Sequence, residues 1–278
     1  MSKNLIYTTF RPRAEDYEEY NCLISEWIIS LRTLGNYQGK VILFNYSDLN
    51  LFNYLPDKKM LGDFEIIQLE KNLPCHMISN RRNVDVINHL LKYKGYNFSH
   101  IDADVWFQKD INSMFETVKA TKGMCFAVEH KRSCNFRNGQ EKYLDLFNSN
   151  INRLDGFIFG GWFAGVYNSY ISHLRKIKLM FDEGGWDINM HGSDQSLLNV
   201  LVDFEKDDFT GLKWAASQYY CYFKNGKWKF KHDDEDVFGI HLVAYGKNRK
   251  DSMVKLDDNY RFKYLHKEIY DKHMKNIL

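Results

Sequence analysis

Tyr96-Asn97-Phe98-Ser99-His100-Ile101-Asp102-Ala103-Asp104-Val105-Trp106 is the stretch that decides how this chain is read. A hydrophobic strand, Tyr96 to Ile101, runs straight into two carboxylates separated by one small residue. In extended backbone, residues i and i+2 project to the same side, so Asp102 and Asp104 share a face. Such a pair repels itself unless something positive sits between the two groups. Hard oxygen ligands suit magnesium and manganese, and an ion of that kind typically carries substrate phosphates. The motif alone fits surface aspartates closing a strand equally well.

The elements around it alternate. The pattern predicts a strand over Asn4–Phe10 and a helix over Ala14–Leu34, whose apolar stripe is Tyr17, Tyr20, Ile24, Trp27, Ile28 and Leu31. Gly35 stands where a C-cap glycine belongs. Strands follow over Lys40–Asn45 and Asp63–Leu69, then a helix over Val84–Lys94 that leads into the strand ending at Asp102. This order predicts an α/β fold with a mostly parallel central sheet flanked by helices. Ligands of such sheets bind beyond the carboxyl ends of the strands, where Asp102 and Asp104 lie. In the second half, Met124–Glu129 and Gly160–Tyr167 read as strands and Ser169–Phe181 as a helix. Ser193 is placed to cap a helix over Asp194–Val202. Asn225-Gly226 between Tyr219–Lys224 and Lys227–Lys231 signals a hairpin with a type I′ turn. Tyr260–Leu278 reads as a Lys-rich helix.

Composition narrows the classes. The 278 residues are 44% hydrophobic and 27% charged, which suits a globular domain with a sizeable core. A net charge of +2 gives no electrostatic case for nucleic acid. The start, Met1-Ser2-Lys3-Asn4-Leu5-Ile6-Tyr7, lacks the features of a signal peptide, and no apolar run reaches the roughly 20 residues of a membrane span. Cys22, Cys75, Cys125, Cys134 and Cys221 show no C-x-x-C spacing and an odd count, so free thiols in a cytoplasmic setting are expected. His76, His100, His130 and His191 have no zinc-site spacing.

Taken in order, His100-Ile101-Asp102-Ala103-Asp104-Val105-Trp106, Gly160-Gly161-Trp162-Phe163-Ala164-Gly165-Val166, Ser193-Asp194-Gln195-Ser196-Leu197-Leu198-Asn199, and His241 with Gly246-Lys247 resemble a GT-A-fold glycosyltransferase. The likeness is to the retaining, metal-dependent group that includes glycogenin and the bacterial lipopolysaccharide galactosyltransferases. It spans the chain from Asn4 to about Lys247. The resemblance implies that Asp102 and Asp104 form the D-x-D motif, holding manganese or magnesium against the diphosphate of a nucleotide sugar, with Asp102 also near ribose. It implies His241 as third ligand and Lys247 as a diphosphate contact. The family's H-x-x-G-x-x-K pattern is altered here, since the stretch reads His241-Leu242-Val243-Ala244-Tyr245-Gly246-Lys247.

The resemblance further implies that Asp194 and Gln195 face the anomeric carbon. An amide such as Gln195 is a poor base and nucleophile, but its carbonyl oxygen stabilises a cationic sugar, which suits retention. Were the reaction inverting, Asp194 would be the general base. Thr8, Thr9, Arg11 and Arg13 follow the first strand, where similar enzymes grip base and ribose, and Arg81 or Arg82 is within sequence reach of the donor. Gly160-Gly161 permits close backbone approach to the sugar, and Trp162 or Trp186 offers a flat face to an acceptor.

The expected protein is therefore a single domain over residues 1–278: a nucleotide-sugar half to Asp104, an acceptor half over 105–250 with a smaller hairpin region, and a helical tail over 251–278. It would move a hexose from a UDP-linked donor to a glycan, lipid-linked or protein acceptor. The tail sets Lys263, Lys267, Lys272 and Lys275 among Phe262, Leu265, Ile269 and Met274, which fits either peripheral contact with an anionic membrane or a helix docked on the domain. Two alternatives remain: a haloacid-dehalogenase-type phosphatase, which also uses D-x-D after a strand, and a catalytically silent sugar-binding module of the same fold.

Overall fold

The computed structural model describes residues 3–12, 18–70, 73, 75–129, 157–183, 193–203, 205–209, 214–217, 221–231, 233–242 and 260–274. Its strands are β1 (Lys3–Phe10), β2 (Lys40–Asn45), β3 (Phe64–Gln68), β4 (Tyr96–Ile101), β5 (Val105–Phe107), β6 (Met124–Glu129), β7 (Phe157–Val166), β8 (Ala215–Ser217), β9 (Cys221–Lys224), β10 (Lys227–Phe230) and β11 (Gly239–His241). Six of them form the central sheet in the order β3-β2-β1-β4-β7-β6. The first four run parallel, and β7 and β6 close the sheet antiparallel.

Both faces of β1 are buried, as a parallel strand between two helical layers requires. Ile6 and Phe10 pack on one side with Ile24, Trp27, Ile28 and Leu31 of the helix Leu23–Thr33. Leu5 and Tyr7 pack on the other with Val86, Ile87 and Leu90 and with Tyr170, Leu174 and Ile177 of the helix Tyr167–Asp182. A smaller sheet, β5-β11-β8, extends from the chain just after Asp104. The hairpin β9–β10 turns at Asn225 (φ 53°) and Gly226 (φ 77°), both in the left-handed region a type I′ turn needs.

Two helices differ from expectation. The first is realised as Glu18–Asn21 and Leu23–Thr33, with 13–17 outside the described residues. The second begins at Cys75 rather than Val84 and runs to Asp85, followed by the short turn Ile87–Leu90. Asn80 and Asn83 take buried positions in it and Arg82 a nearly buried one, so no continuous apolar stripe announces it. The tail folds as Phe262–Leu265 and Lys267–Met274. It is anchored by Arg261, whose guanidinium holds Glu26 at 2.7 Å with both side chains almost fully buried. Among the described residues no helix is long and apolar enough to cross a membrane.

Candidate active site

Both aspartates leave the sheet at the carboxyl end of β4. The Asp102 N–H donates to the Gly161 carbonyl at 2.7 Å, continuing the β4–β7 ladder one step past the Ile101–Trp162 pair. The chain then turns, with Val105 N–H on the Asp102 carbonyl at 3.1 Å, and enters β5. Strand β11 pairs antiparallel with β5, His241 opposite Val105, and the Leu242 N–H reaches the Asp104 carbonyl at 2.9 Å. Strand register therefore sets His241 beside Asp104.

The ligand atoms of Asp102, Asp104 and His241 all lie within 4.8 Å of one another. His241 Nε2 is 3.4 Å from Asp104 Oδ1, and that oxygen is buried without a hydrogen bond. With metal–oxygen bonds of about 2.1 Å, opposite ligands of an octahedral ion stand about 4.2 Å apart. The cluster is within a small side-chain adjustment of that span. Two carboxylates and an imidazole, one oxygen unbonded, fit a divalent cation.

Arg82, from the helix Cys75–Asp85, stands behind the cluster with a side chain 11% exposed. Its Nη1 donates to Asp102 Oδ1, and its Nη2 donates to Asp194 Oδ2 at 2.8 Å and to the Gly160 carbonyl at 3.2 Å. His100 Nε2 lies 3.0 Å from the same Asp102 oxygen. Burial opposes ionisation of Asp102, but the Arg82 charge and the His100 hydrogen bond outweigh it and hold the carboxyl well below the usual carboxylate range. Burial likewise opposes the charge on Arg82, and Asp102, Asp194 and Asp104 together more than restore it. Burial pushes His100 down, toward the neutral ring. One guanidinium facing three carboxylates leaves an excess of negative charge that a cation would offset.

Asp194 and Gln195 occupy the first turn of the helix Ser193–Val200. The Asp194 N–H donates to Asn80 Oδ1 at 3.0 Å, and Gln195 Nε2 donates to the Ile158 carbonyl at 3.1 Å, which turns the amide oxygen away from β7. The helix lies close on β7 at Gly160, where a Cβ would come into contact with Gln195 Cβ at 3.4 Å. At Gly161 there is no room at all, since a Cβ would stand 2.3 Å from Phe159 Cζ and 2.6 Å from Asp102 Oδ2. The Phe159 ring also packs against His241, with centroids 4.5 Å apart.

The structure thus gathers Asp102, Asp104, His241, Asp194 and Gln195 at one end of the sheet. Thr8 is fully buried in β1, while Thr9 and Arg11 keep some surface near its carboxyl end. Of the two arginines the sequence offers, Arg82 reaches the cluster. Arg81 turns to Glu70 at 2.8 Å and Asp85 at 3.1 Å, lining a separate cleft of about 670 Å³ against the helix Tyr167–Asp182. Trp162 has no surface to offer a sugar: it is core, its indole N–H directed at Met114 Sδ. Arg13, Trp186, Gly246 and Lys247 lie outside the described residues. Sequence reasoning missed Asn80, His100 and Phe159. For His100 a signal existed, because the period of a strand puts it on the same face as Asp102.

No family model and no curated protein matches the chain. Among solved structures, an active-site mutant of LgtC, a glycosyltransferase, superposes with a TM-score of 0.59 at 11% identity. The match covers 95% of this chain and 95% of that one. A likeness that distant speaks for the fold, which is a GT-A-like glycosyltransferase fold.

Proposed function

We propose that this chain is a metal-dependent glycosyltransferase that moves a hexose from a nucleotide-diphosphate sugar, UDP-linked, to a glycan, lipid-linked or protein acceptor with retention. The observation behind the proposal is the convergence of Asp102, Asp104 and His241 within 4.8 Å, at the carboxyl edge of a parallel sheet, in a chain of GT-A-like fold.

Those three residues would hold the cation and, through it, the donor diphosphate. When bound, manganese or magnesium would supply charge neutralisation for the departing diphosphate. Arg82 fixes Asp102 and Asp194 in place, and Thr9 and Arg11 would contact base and ribose. Lys247 would add a further diphosphate contact. Asp194 has one carboxylate oxygen already engaged by Arg82 and is 5% exposed, so it acts here by orienting donor hydroxyls rather than by taking a proton from an acceptor. Gln195 has its amide nitrogen tied to Ile158, leaving the carbonyl oxygen for positive charge developing on the sugar. With no free base beside the sugar in this reading, the leaving phosphate accepts the acceptor's proton, and bond formation on the same face retains configuration.

The deciding experiment is thermal stabilisation of the purified chain by UDP, GDP and CMP, each with and without manganese. A shift that needs both UDP and manganese is expected, because a ligand that binds the folded state alone raises its stability. A preference for another nucleotide would change the donor. No shift with any nucleotide would overturn the reading.

A further inference from the structure

We infer that His100 is a positioning residue for the metal site: it fixes the Asp102 carboxylate so that one oxygen is committed to the protein and the other is presented to the ligand. The inference rests on the metal-site reading above and adds a residue and a role to it.

His100 is 0% exposed in the interior of β4. Its ring is held between Tyr7 of β1 and Phe163 of β7, each with centroids 5.1 Å away, which confines its plane. Nδ1 is buried without a hydrogen bond, and Nε2 meets Asp102 Oδ1 at 3.0 Å. With an ionised carboxylate as acceptor, the proton sits on Nε2. Burying an imidazole with one nitrogen unsatisfied costs stability; an apolar side chain would fill this core position without that cost. What the histidine adds is its single hydrogen bond.

That bond does something Arg82 does not. Arg82 is shared among Asp102, Asp194 and the Gly160 carbonyl, so its hold on Asp102 varies with whatever occupies the far side. His100 bonds only Asp102 and cannot follow the guanidinium. Together the two donors occupy Oδ1, while Oδ2 lies over Gly161, where no side chain fits. Hydrogen bonds of this kind to ligating carboxylates set ligand direction, and their loss typically weakens metal binding by about 10- to 100-fold.

The test measures manganese affinity of the full chain with UDP present, from the electron paramagnetic signal of free manganese, for wild type, His100→Phe, His100→Gln and His100→Asn. Melting temperatures of the metal-free proteins are recorded alongside. A Gln nitrogen can occupy the place of Nε2, whereas Asn reaches no further than Nδ1. The expected result is about 10- to 100-fold weaker binding in Phe and Asn variants and near-wild-type binding in Gln. If Phe fails to fold, the Gln and Asn pair decides, since both amides disturb the core alike and differ in reach. Equal affinities in Gln and Asn variants, with wild type binding normally, would overturn the role of His100 alone. Absence of manganese binding in wild type would overturn the metal-site reading and this inference with it.

Discussion

Arg82 Nη2 lies 2.8 Å from Asp194 Oδ2 while Nη1 of the same guanidinium holds Asp102. One side chain therefore ties the first turn of the helix Ser193–Val200 to the carboxyl end of β4. In the proposed reaction these are the two sides of the donor, so Arg82 sets the distance between the groups that hold the diphosphate and those that face the sugar.

Replacing Arg82 by Met leaves two buried carboxylates without their counter-charge. Breaking a buried pair in this way costs about 3–5 kcal/mol, and urea denaturation of the metal-free protein is the measurement. Arg82→Lys keeps the charge but not the fork that reaches both partners. It is expected to recover most of the stability and little of the glycosyl transfer.

Asp104→Asn separates binding from folding. The Asp104 side chain is about one-third exposed, and its Oδ1 makes no hydrogen bond, so the metal-free melting temperature stays close to wild type. At UDP 100-fold above its dissociation constant, wild type with manganese gains about 2.7 kcal/mol. The Asn variant is expected to gain none of this, and an unchanged manganese-dependent shift would count against the proposed function.

Gly161→Ala tests the crowding beside Asp102. Its Cβ would stand 2.3 Å from Phe159 Cζ and 2.6 Å from Asp102 Oδ2, so ring and carboxylate must both move. Overpacking of this kind costs about 1–3 kcal/mol. Because the displaced groups border His241 and belong to the metal cluster, manganese affinity falls as well. Gly95→Ala, where a Cβ meets nothing within 4 Å but φ is +84°, provides the contrast: backbone strain with metal affinity unchanged.

The acid limb of stability belongs in part to His173. Burial among Phe126 and Phe163 pushes its pKa down to about 3, far below the 6.5 of an exposed histidine. Below pH 6.5 the unfolded chain takes a proton that the folded chain refuses. Stability is therefore full above that pH and falls as pH drops toward 3, by up to about 1.4 kcal/mol per pH unit. His173→Phe removes the titration, and denaturation midpoints measured from pH 7 to pH 4 should fall less steeply than in wild type.

Much of the sheet was legible because its strands are buried on both faces. Val41–Phe44 reads as a continuous apolar run, which is what a parallel strand between helices looks like, while Tyr96–Ile101 (Y-N-F-S-H-I) is buried along most of its length although Asn97, Ser99 and His100 interrupt it. The helix Cys75–Asp85 was not legible, because Asn80 is buried and Arg82 nearly so in contacts with Asp194 and Asp102, and polar residues stand where an apolar stripe would be sought. Strands β5, β8 and β11 have three residues each, too few to display a period. The metal-like cluster was readable in its aspartates and in His241 through a family likeness. The choice between Arg81 and Arg82 depends on helical phase, which a polar segment does not reveal.

Glu26 and Arg261 have a consequence for the order in which the molecule assembles. Glu26 sits in the second described helix of the chain, and its partner stands 235 residues further on. Until residue 261 has been synthesised, the side of that helix that receives the tail carries Glu26 without its partner, and covering it would strand a carboxylate in the interior. Docking of this face is therefore completed only after residue 261 has left the ribosome. Proteins truncated before Arg261 are expected to populate an expanded, protease-sensitive state although every strand of the central sheet is present.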